Sequence, residues 1–285
     1  MATVLITGAG GACGVGAIDS LKTETTHHVV GVDMDPTAAG IHLADVGSSV
    51  PPAADERWPE AMAGVIDEFD VDVVVPTVDE ELVKRSALAD ALPDSVPIVA
   101  PKQDVIDLSL DKYQTMKQLS AAGHPTPDTW LATNAAEIDS ADFPLIVKPR
   151  RGRGSRGVQR VTTNDELMTY LAETDYSREE LLCQDCIDGT EYTTSVVGTV
   201  DNRLLSVVPK EAIRKDGSTV LGATRQAPAV RDACRELFET LTPAGPINVQ
   251  QIVDSEGVPQ TIEINPRFQS ITSSISRPPP VGGES

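Results

Sequence analysis

Glu263 and Asn265 occupy alternate positions of the segment Thr261-Ile262-Glu263-Ile264-Asn265-Pro266-Arg267. In a strand both side chains leave from one face, with Ile262 and Ile264 expected to point into a core. A carboxylate and an amide oxygen on one side suit a hard cation that also holds substrate phosphates, so Mg²⁺ is the expected ion and Mn²⁺ its substitute. The run Ile247-Asn248-Val249-Gln250-Gln251-Ile252-Val253 precedes it, joined by the turn-rich Asp254-Ser255-Glu256-Gly257. The two runs predict an antiparallel hairpin, and a loop of even length would set Gln250 on the face of Glu263 as a further oxygen donor. Arg267 would face the same phosphates.

A second constellation lies upstream. Residues 145 to 158, LIVKPRRGRGSRGV, read as strand, charged turn, glycine loop and returning strand. Backbone amides of such a loop, here around Gly154 and Ser155, can close over phosphate oxygens without obstruction from side chains. It is not a Walker loop, because no GK[ST] ending leads into a helix. Lys148, at the end of an apolar strand, suits a phosphate or adenine contact, the alternative being an edge lysine that snorkels to solvent.

The composition sharpens this. Net charge is -20 over 285 residues and the sequence pI is about 4.5, which argues against nucleic acid or an anionic membrane as partner. Against that background Arg150, Arg151, Arg153, Arg156 and Arg160 form a local reversal of sign that points to a polyanionic ligand. No apolar run reaches the length of a membrane span and the N-terminus is too short for a secretory signal, so the cytoplasm is the expected location. Cys183-Gln184-Asp185-Cys186 has CxxC spacing, but no second pair or histidine cluster completes a zinc site, and two small buried side chains are the simpler reading.

These residues need elements to position them. Strand-like runs at 3–8, 28–32, 71–76 and 96–100 alternate with helical patterns through Ala17, Ile18 and Leu21, over 58–69 and over 80–91. That alternation predicts a Rossmann-like, parallel, doubly wound α/β lobe over residues 1–101. Beyond Pro101 a helix over 107–122, strands at 129–131, 145–148, 157–161, 181–186, 191–198 and 204–209, and helices from Asn164 and over 231–241 predict an α+β domain over 102–276. Thr163 or Asn164 can cap the first of those helices. Three prolines and two glycines in 277–285 predict a disordered tail.

Lys148 with its glycine loop, Gln184 to Tyr192, Asn248-Val249-Gln250 and Glu263 to Arg267 occur in the order and spacing of the ATP-grasp superfamily. The chain resembles most its carbamoyl-phosphate-synthase-like branch, which carries a pre-ATP-grasp lobe beginning like Ile6-Thr7-Gly8-Ala9-Gly10-Gly11. The resemblance implies ATP and Mg²⁺ (or Mn²⁺) as cofactors. It implies that Lys112 reaches the phosphates, that Lys148 touches the α-phosphate and adenine edge, and that the backbone of Gln184, Asp185, Cys186 and Ile187 reads adenine. Glu191 would bind the ribose, Gln250, Glu263 and Asn265 the metal, and Arg267 the transferred phosphoryl group. The implied activity is a ligase that phosphorylates a small-molecule carboxylate to an acylphosphate for attack by an amine or similar nucleophile, and a homodimer is compatible with it.

The pattern is departed from in three places. The hinge has Asp185-Cys186 where an acidic-aromatic pair is usual, Lys210 to Arg214 is poorer in arginine than in relatives, and little chain follows Arg267. These departures leave a nucleotide-binding inactive remnant as a second reading, on a chain read as shortened. A third reading takes Thr7-Gly8-Ala9-Gly10-Gly11-Ala12-Cys13-Gly14, Asp33 and Tyr113 to Lys117 as an NAD(P)-dependent short-chain dehydrogenase or epimerase. That enzyme needs more strands before its tyrosine, and it leaves everything from Lys148 onward without a role; tight strand-to-helix packing is the simpler account of the glycines.

Overall fold

In a computed structural model, residues 1–134, 138, 142–216 and 218–268 are described; the tail expected over 277–285 lies outside them. The first lobe is a parallel sheet in the order β3-β2-β1-β4, built from β1 (Thr3–Ile6), β2 (His28–Asp33), β3 (Val46–Ser49) and β4 (Val73–Val75). Helices α1 (Ala12–Glu24) and α2 (Ala39–Leu43) cover one face around Ile6, Ile18 and Val29. On the other face α3 (Trp58–Glu68), α4 (Asp79–Val83), α5 (Arg85–Ala91) and α6 (Gln103–Ser109) bury Trp58, Met62, Leu82, Leu88 and Ile106. The glycine turn after β1 allows this packing: a Cβ on Gly14 would lie 2.3 Å from the Gly8 carbonyl oxygen.

Several boundaries differ from expectation for local reasons. The run 96–100 contributes a single parallel bridge, Val74 to Ile98, because Pro97 has no N–H to donate to a ladder. The helix expected over 80–91 breaks at Lys84, and that over 107–122 breaks at Leu110-Asp111. Asp111 is the reason for the second break: its side chain accepts from the Gln114 amide and caps α7 (Lys112–Ala121), which puts Lys112 at the first helical position. β3 and α2 carry little sequence signal, since Val46-Gly47-Ser48-Ser49 is half-exposed and poor in strand formers.

The second region has two antiparallel sheets. One runs β11-β10-β9-β12-β13, from β9 (Thr190–Gly198), β10 (Leu204–Asp216), β11 (Ser218–Thr224), β12 (Pro246–Val253) and β13 (Pro259–Asn265). Helices α7 and α9 (Pro228–Leu241) pack on it through Met116, Leu119, Leu237 and Phe238, against Val196, Ile247, Val249 and Ile264. The other runs β5-β8-β6-β7, from β5 (Thr129–Leu131), β6 (Leu145–Pro149), β7 (Gln159–Val161) and β8 (Leu181–Asp185), with α8 (Asn164–Glu173) on its core. Thr163 is the residue that caps α8, accepting from the Glu166 amide. β10 continues through Pro209, where a strand end was expected, because β11 folds back on residues 210–216. No helix among the described residues is long and apolar enough to cross a membrane.

Candidate functional site

The β12–β13 hairpin forms, but its loop has odd length: Val253 pairs with Pro259 and Gln251 with Thr261. Continued unbroken, that register would set Gln250 against Ile262. A bulge at Ile262 shifts it by one residue, so Gln250 pairs with Glu263 and Asn248 with Asn265. Bulges next to sites commonly re-aim side chains in this way. Gln250, Glu263 and Asn265 therefore share a face, while Ile264 enters the core and Ile262, expected there too, stays half-buried outside it.

Lys148 arrives from β6 of the other sheet and is buried. Its Nζ donates to Gln184 Oε1 at 2.8 Å and to the carbonyl of Ile262, the bulged residue, at 3.2 Å. Gln184 is itself fixed by donating to Thr129 Oγ1 at 2.9 Å. Burial pushes the Lys148 ammonium down to about 8, with Glu263 and Glu191 opposing that shift and Lys112 and Lys215 adding to it. Four charged side chains from separate elements thus act on this lysine through their charge. Lys112 Nζ lies 3.4 Å from Glu263 Oε1 and donates to the Gly152 carbonyl at 2.7 Å. Glu191 on β9 accepts from Lys215 at 2.8 and 2.9 Å.

The glycine loop is held by charge. Gly152, Gly154, Ser155 and Gly157 all have positive φ, between 56° and 126°, a conformation that glycine adopts without strain. Arg150 pairs with Asp111 at 2.7 Å, Arg151 with the same carboxylate at 3.5 Å, and Arg153 with Glu80 of the first lobe at 3.1 Å. Burial works against the Asp111 carboxylate, but hydrogen bonds from Arg150 and the Gln114 amide outweigh it and hold the carboxyl below the usual range. Arg267 makes a second connection to the first lobe, ion-paired to Asp79. Burial opposes the Arg267 charge and Asp79 more than restores it. Lys112, Glu263, Asn265, Arg153 and Asp79 line one cavity of about 210 Å³; Gln250 stands beside Glu263 but outside its walls.

Residues 109–271 match the ATP-grasp domain, and residues 4–92 match the PylC-like N-terminal domain. The chain belongs to the ATP-grasp family. It is 26% identical over 220 residues to a carbamoyl-phosphate synthase of Methanobrevibacter smithii, covering 75% of this chain and 55% of that protein. It is 33% identical over 109 residues to a D-alanine–D-alanine ligase of Delftia acidovorans, covering 36% and 33%. The chain thus spans about half the length, or less, of these curated relatives. In fold it is similar to the biotin carboxylase domain of a Hydrogenobacter thermophilus 2-oxoglutarate carboxylase, solved as a dimer with MgADP and bicarbonate: TM-score 0.72, 18% identity, 94% of this chain and 64% of that one.

Within this ATP-grasp chain the expected residues are distributed unevenly. Lys112, Glu263 and Asn265 line one cavity and Lys148 reaches β13 through the Ile262 carbonyl, Glu191 on β9 is tied up with Lys215, and Gly154 and Ser155 lie on the glycine loop. The backbone of Gln184 does not present free edges, because β8 runs between β5 and β6, and the Asp185 and Cys186 amides already donate to Asp128 and Pro144. The Gln184 side chain instead holds Lys148, and Asp185, Cys186 and Ile187 are all half-buried at and past the strand end. Cys183 is buried with its thiol pushed up to about 11 by that burial, and Cys186 is unpaired with it. Among the described residues no cluster of three histidine, cysteine or acidic side chains could hold a metal; the carboxylate and amide oxygens of Glu263, Asn265 and Gln250 have the hard-donor chemistry that Mg²⁺ requires.

Sequence reasoning passed over Asp79, Glu80, Glu81, Asp111 and Lys215. The acidic run had a signal: it follows β4 at its carboxyl end, where open α/β sheets place ligands. Lys215 had none until β10 was seen to continue past Pro209.

Proposed function

We propose that the protein is a Mg²⁺-ATP-dependent ligase that activates a carboxylate as an acylphosphate for attack by an amine or similar nucleophile. The observation that carries this reading is that Lys112, Glu263 and Asn265, from α7 and β13, line one cavity beside the glycine loop, with buried Lys148 of β6 bonded to the carbonyl of Ile262 next to Glu263. Residues 1–101 would form the first domain and 102–276 the ATP-grasp domain, with Mn²⁺ able to replace Mg²⁺. The cytoplasm is the compartment we assign, with small-molecule substrates and a homodimer as the form to test.

In this reading Lys148 and the hinge end at Ile187 orient the nucleotide base and α-phosphate, and Glu191 holds the ribose once Lys215 yields it. Lys112 and the amides around Gly154 and Ser155 neutralise and enclose the phosphates. Glu263, Asn265 and Gln250 would hold the divalent ion, which supplies charge neutralisation at the transferred phosphoryl group. A carboxylate oxygen bonds to the γ-phosphorus as the bond to the bridging oxygen breaks and ADP leaves. The amine nitrogen then bonds to the acyl carbon, phosphate leaves with the C–O electron pair, and the amine gives up a proton. Arg267, once released by Asp79, would share that charge.

Calorimetric titration with ATP tests this, with and without Mg²⁺. We expect Mg²⁺-dependent saturation that Glu263→Ala abolishes; binding unchanged by that substitution would overturn the metal assignment. ATP turnover across a panel of carboxylates separates a ligase from an inactive remnant.

A further inference from the structure

Asp111 is 3% exposed and sits in the break between α6 and α7, directly before Lys112. Its carboxylate is reached from two segments: Oδ1 accepts from the Gln114 amide at 3.2 Å and Arg150 Nε at 3.4 Å, and Oδ2 accepts from Arg150 Nη2 at 2.7 Å and Arg151 Nη2 at 3.5 Å. The main chain ties the same segments together, since the Lys112 amide donates to the Arg150 carbonyl at 2.9 Å. Arg150 is fixed from its other sides as well. Its Nη1 donates to the Glu179 carbonyl at 3.1 Å, and the guanidinium lies 5.7 Å from the centre of the Tyr113 ring.

A helix cap needs less than this. Thr163 caps α8 with one hydroxyl that accepts from the Glu166 amide, and serine serves such a position as well as aspartate does. A carboxylate, with about four lone-pair sites, can cap the helix and take an arginine fork at once, which a hydroxyl cannot. What the fork joins is the wall of the cavity of about 210 Å³: Lys112 lines it from α7, and Arg151 and Gly152 line it from the glycine loop. Asp111 stands behind that wall. Lys112 Nζ also donates to the Gly152 carbonyl at 2.7 Å, so a shift between the two segments would move lysine and loop apart.

We propose that Asp111 is a positioning residue of the phosphate site, one that fixes Lys112 and the root of the glycine loop relative to each other so that both meet the same phosphate oxygens. It touches no phosphate itself. The proposal rests on the ligase reading above and adds to it a determinant of phosphate recognition. In that reading groups on other elements hold the base and ribose, so breaking the clamp weakens nucleotides according to their phosphates, ATP most and AMP least. A misplacement of about 1 Å at such a site can cost on the order of 100-fold.

The test is calorimetry on the full chain with Mg²⁺ and a non-hydrolysable ATP analogue, ADP or AMP, with AMP read by its displacement of bound ADP. The parent is compared with Asp111→Ser, Arg150→Gln and Thr163→Ala. Asp111→Ser keeps an acceptor for the Gln114 amide and removes the fork. Arg150→Gln opens the fork from the loop side with the cap intact, and it decides the matter should the first variant not fold. Each clamp variant is expected to lower affinity for the ATP analogue about tenfold or more while AMP changes less than about twofold. Thr163→Ala, a cap removed elsewhere, is expected to leave the ratio of the two affinities where the parent has it. An unchanged ratio in any clamp variant that folds, or an equal change of ratio in Thr163→Ala, would overturn the proposal. Failure of the parent to bind the analogue would strike the ligase reading, whereas parent binding with an unchanged ratio in the variants would strike this inference alone.

Discussion

Lys148 Nζ donates to the carbonyl of Ile262, the residue that the β13 bulge leaves out of register with β12. One irregularity thus serves two ends: it turns Glu263 onto the face of Gln250 and presents a carbonyl to the buried lysine. The lysine is costly to keep charged there, and its lowered affinity for a proton reflects that burial.

Lys148→Met should separate binding from folding. A methionine of similar length removes a costly buried charge but leaves Gln184 Oε1 and the Ile262 carbonyl without their donor, so unfolding free energy should fall by about 1 to 3 kcal/mol with the fold kept, while Mg²⁺-ATP affinity should fall by about 10- to 100-fold. Unchanged affinity would show that Lys148 is only a structural anchor between the sheets.

Asp79→Asn removes the partner of Arg267, whose side chain is 14% exposed. Leaving that guanidinium without its counter-charge should lower unfolding free energy by about 2 to 3 kcal/mol. Urea titration measures it; an unchanged midpoint would mean that the pair does not help hold the first lobe to β13.

Glu81 predicts a pH signature. Burial pushes its carboxyl up from 4.5 to about 7, against the Thr7 hydrogen bond and Arg153, with Asp33 and Glu80 adding to the rise. The folded protein then binds this proton more tightly than the unfolded chain, so the stabilisation is complete below pH about 4.5 and is lost as pH rises through about 7. Relative to Glu81→Gln, the parent should lose on the order of 2 kcal/mol between pH 5 and pH 8. A difference independent of pH would show that the carboxyl ionises normally.

The glycine loop should respond to ligand and salt. Its ion pairs through Arg151 and Arg153 involve largely exposed guanidinium groups, which salt screens. Trypsin cleavage after Arg151, Arg153 or Arg156 should accelerate with ionic strength and slow severalfold with saturating Mg²⁺-ATP. Equal cleavage rates with and without nucleotide would remove the lid role.

What the sequence determined by itself was what local rules encode. Alternating apolar runs and helical periods specified a parallel α/β lobe before an α+β domain, because burial periodicity is a property of a few neighbouring residues. The order of Lys148, the glycine loop, Gln250, Glu263 and Asn265 likewise announced the ATP-grasp family. Tertiary structure decided how those residues face one another. The hairpin loop has the wrong parity to align Gln250 with Glu263, and the bulge that corrects it is favoured by contacts outside the hairpin, among them Lys148 from another sheet. Asp79, Glu80 and Glu81 drew no reading from the sequence beyond a helix over 80–91, yet two of them meet Arg267 and Arg153 from the other region of the chain, and the third is buried under Thr7. Such pairings depend on distances between segments far apart in the chain, which no local pattern of residues encodes.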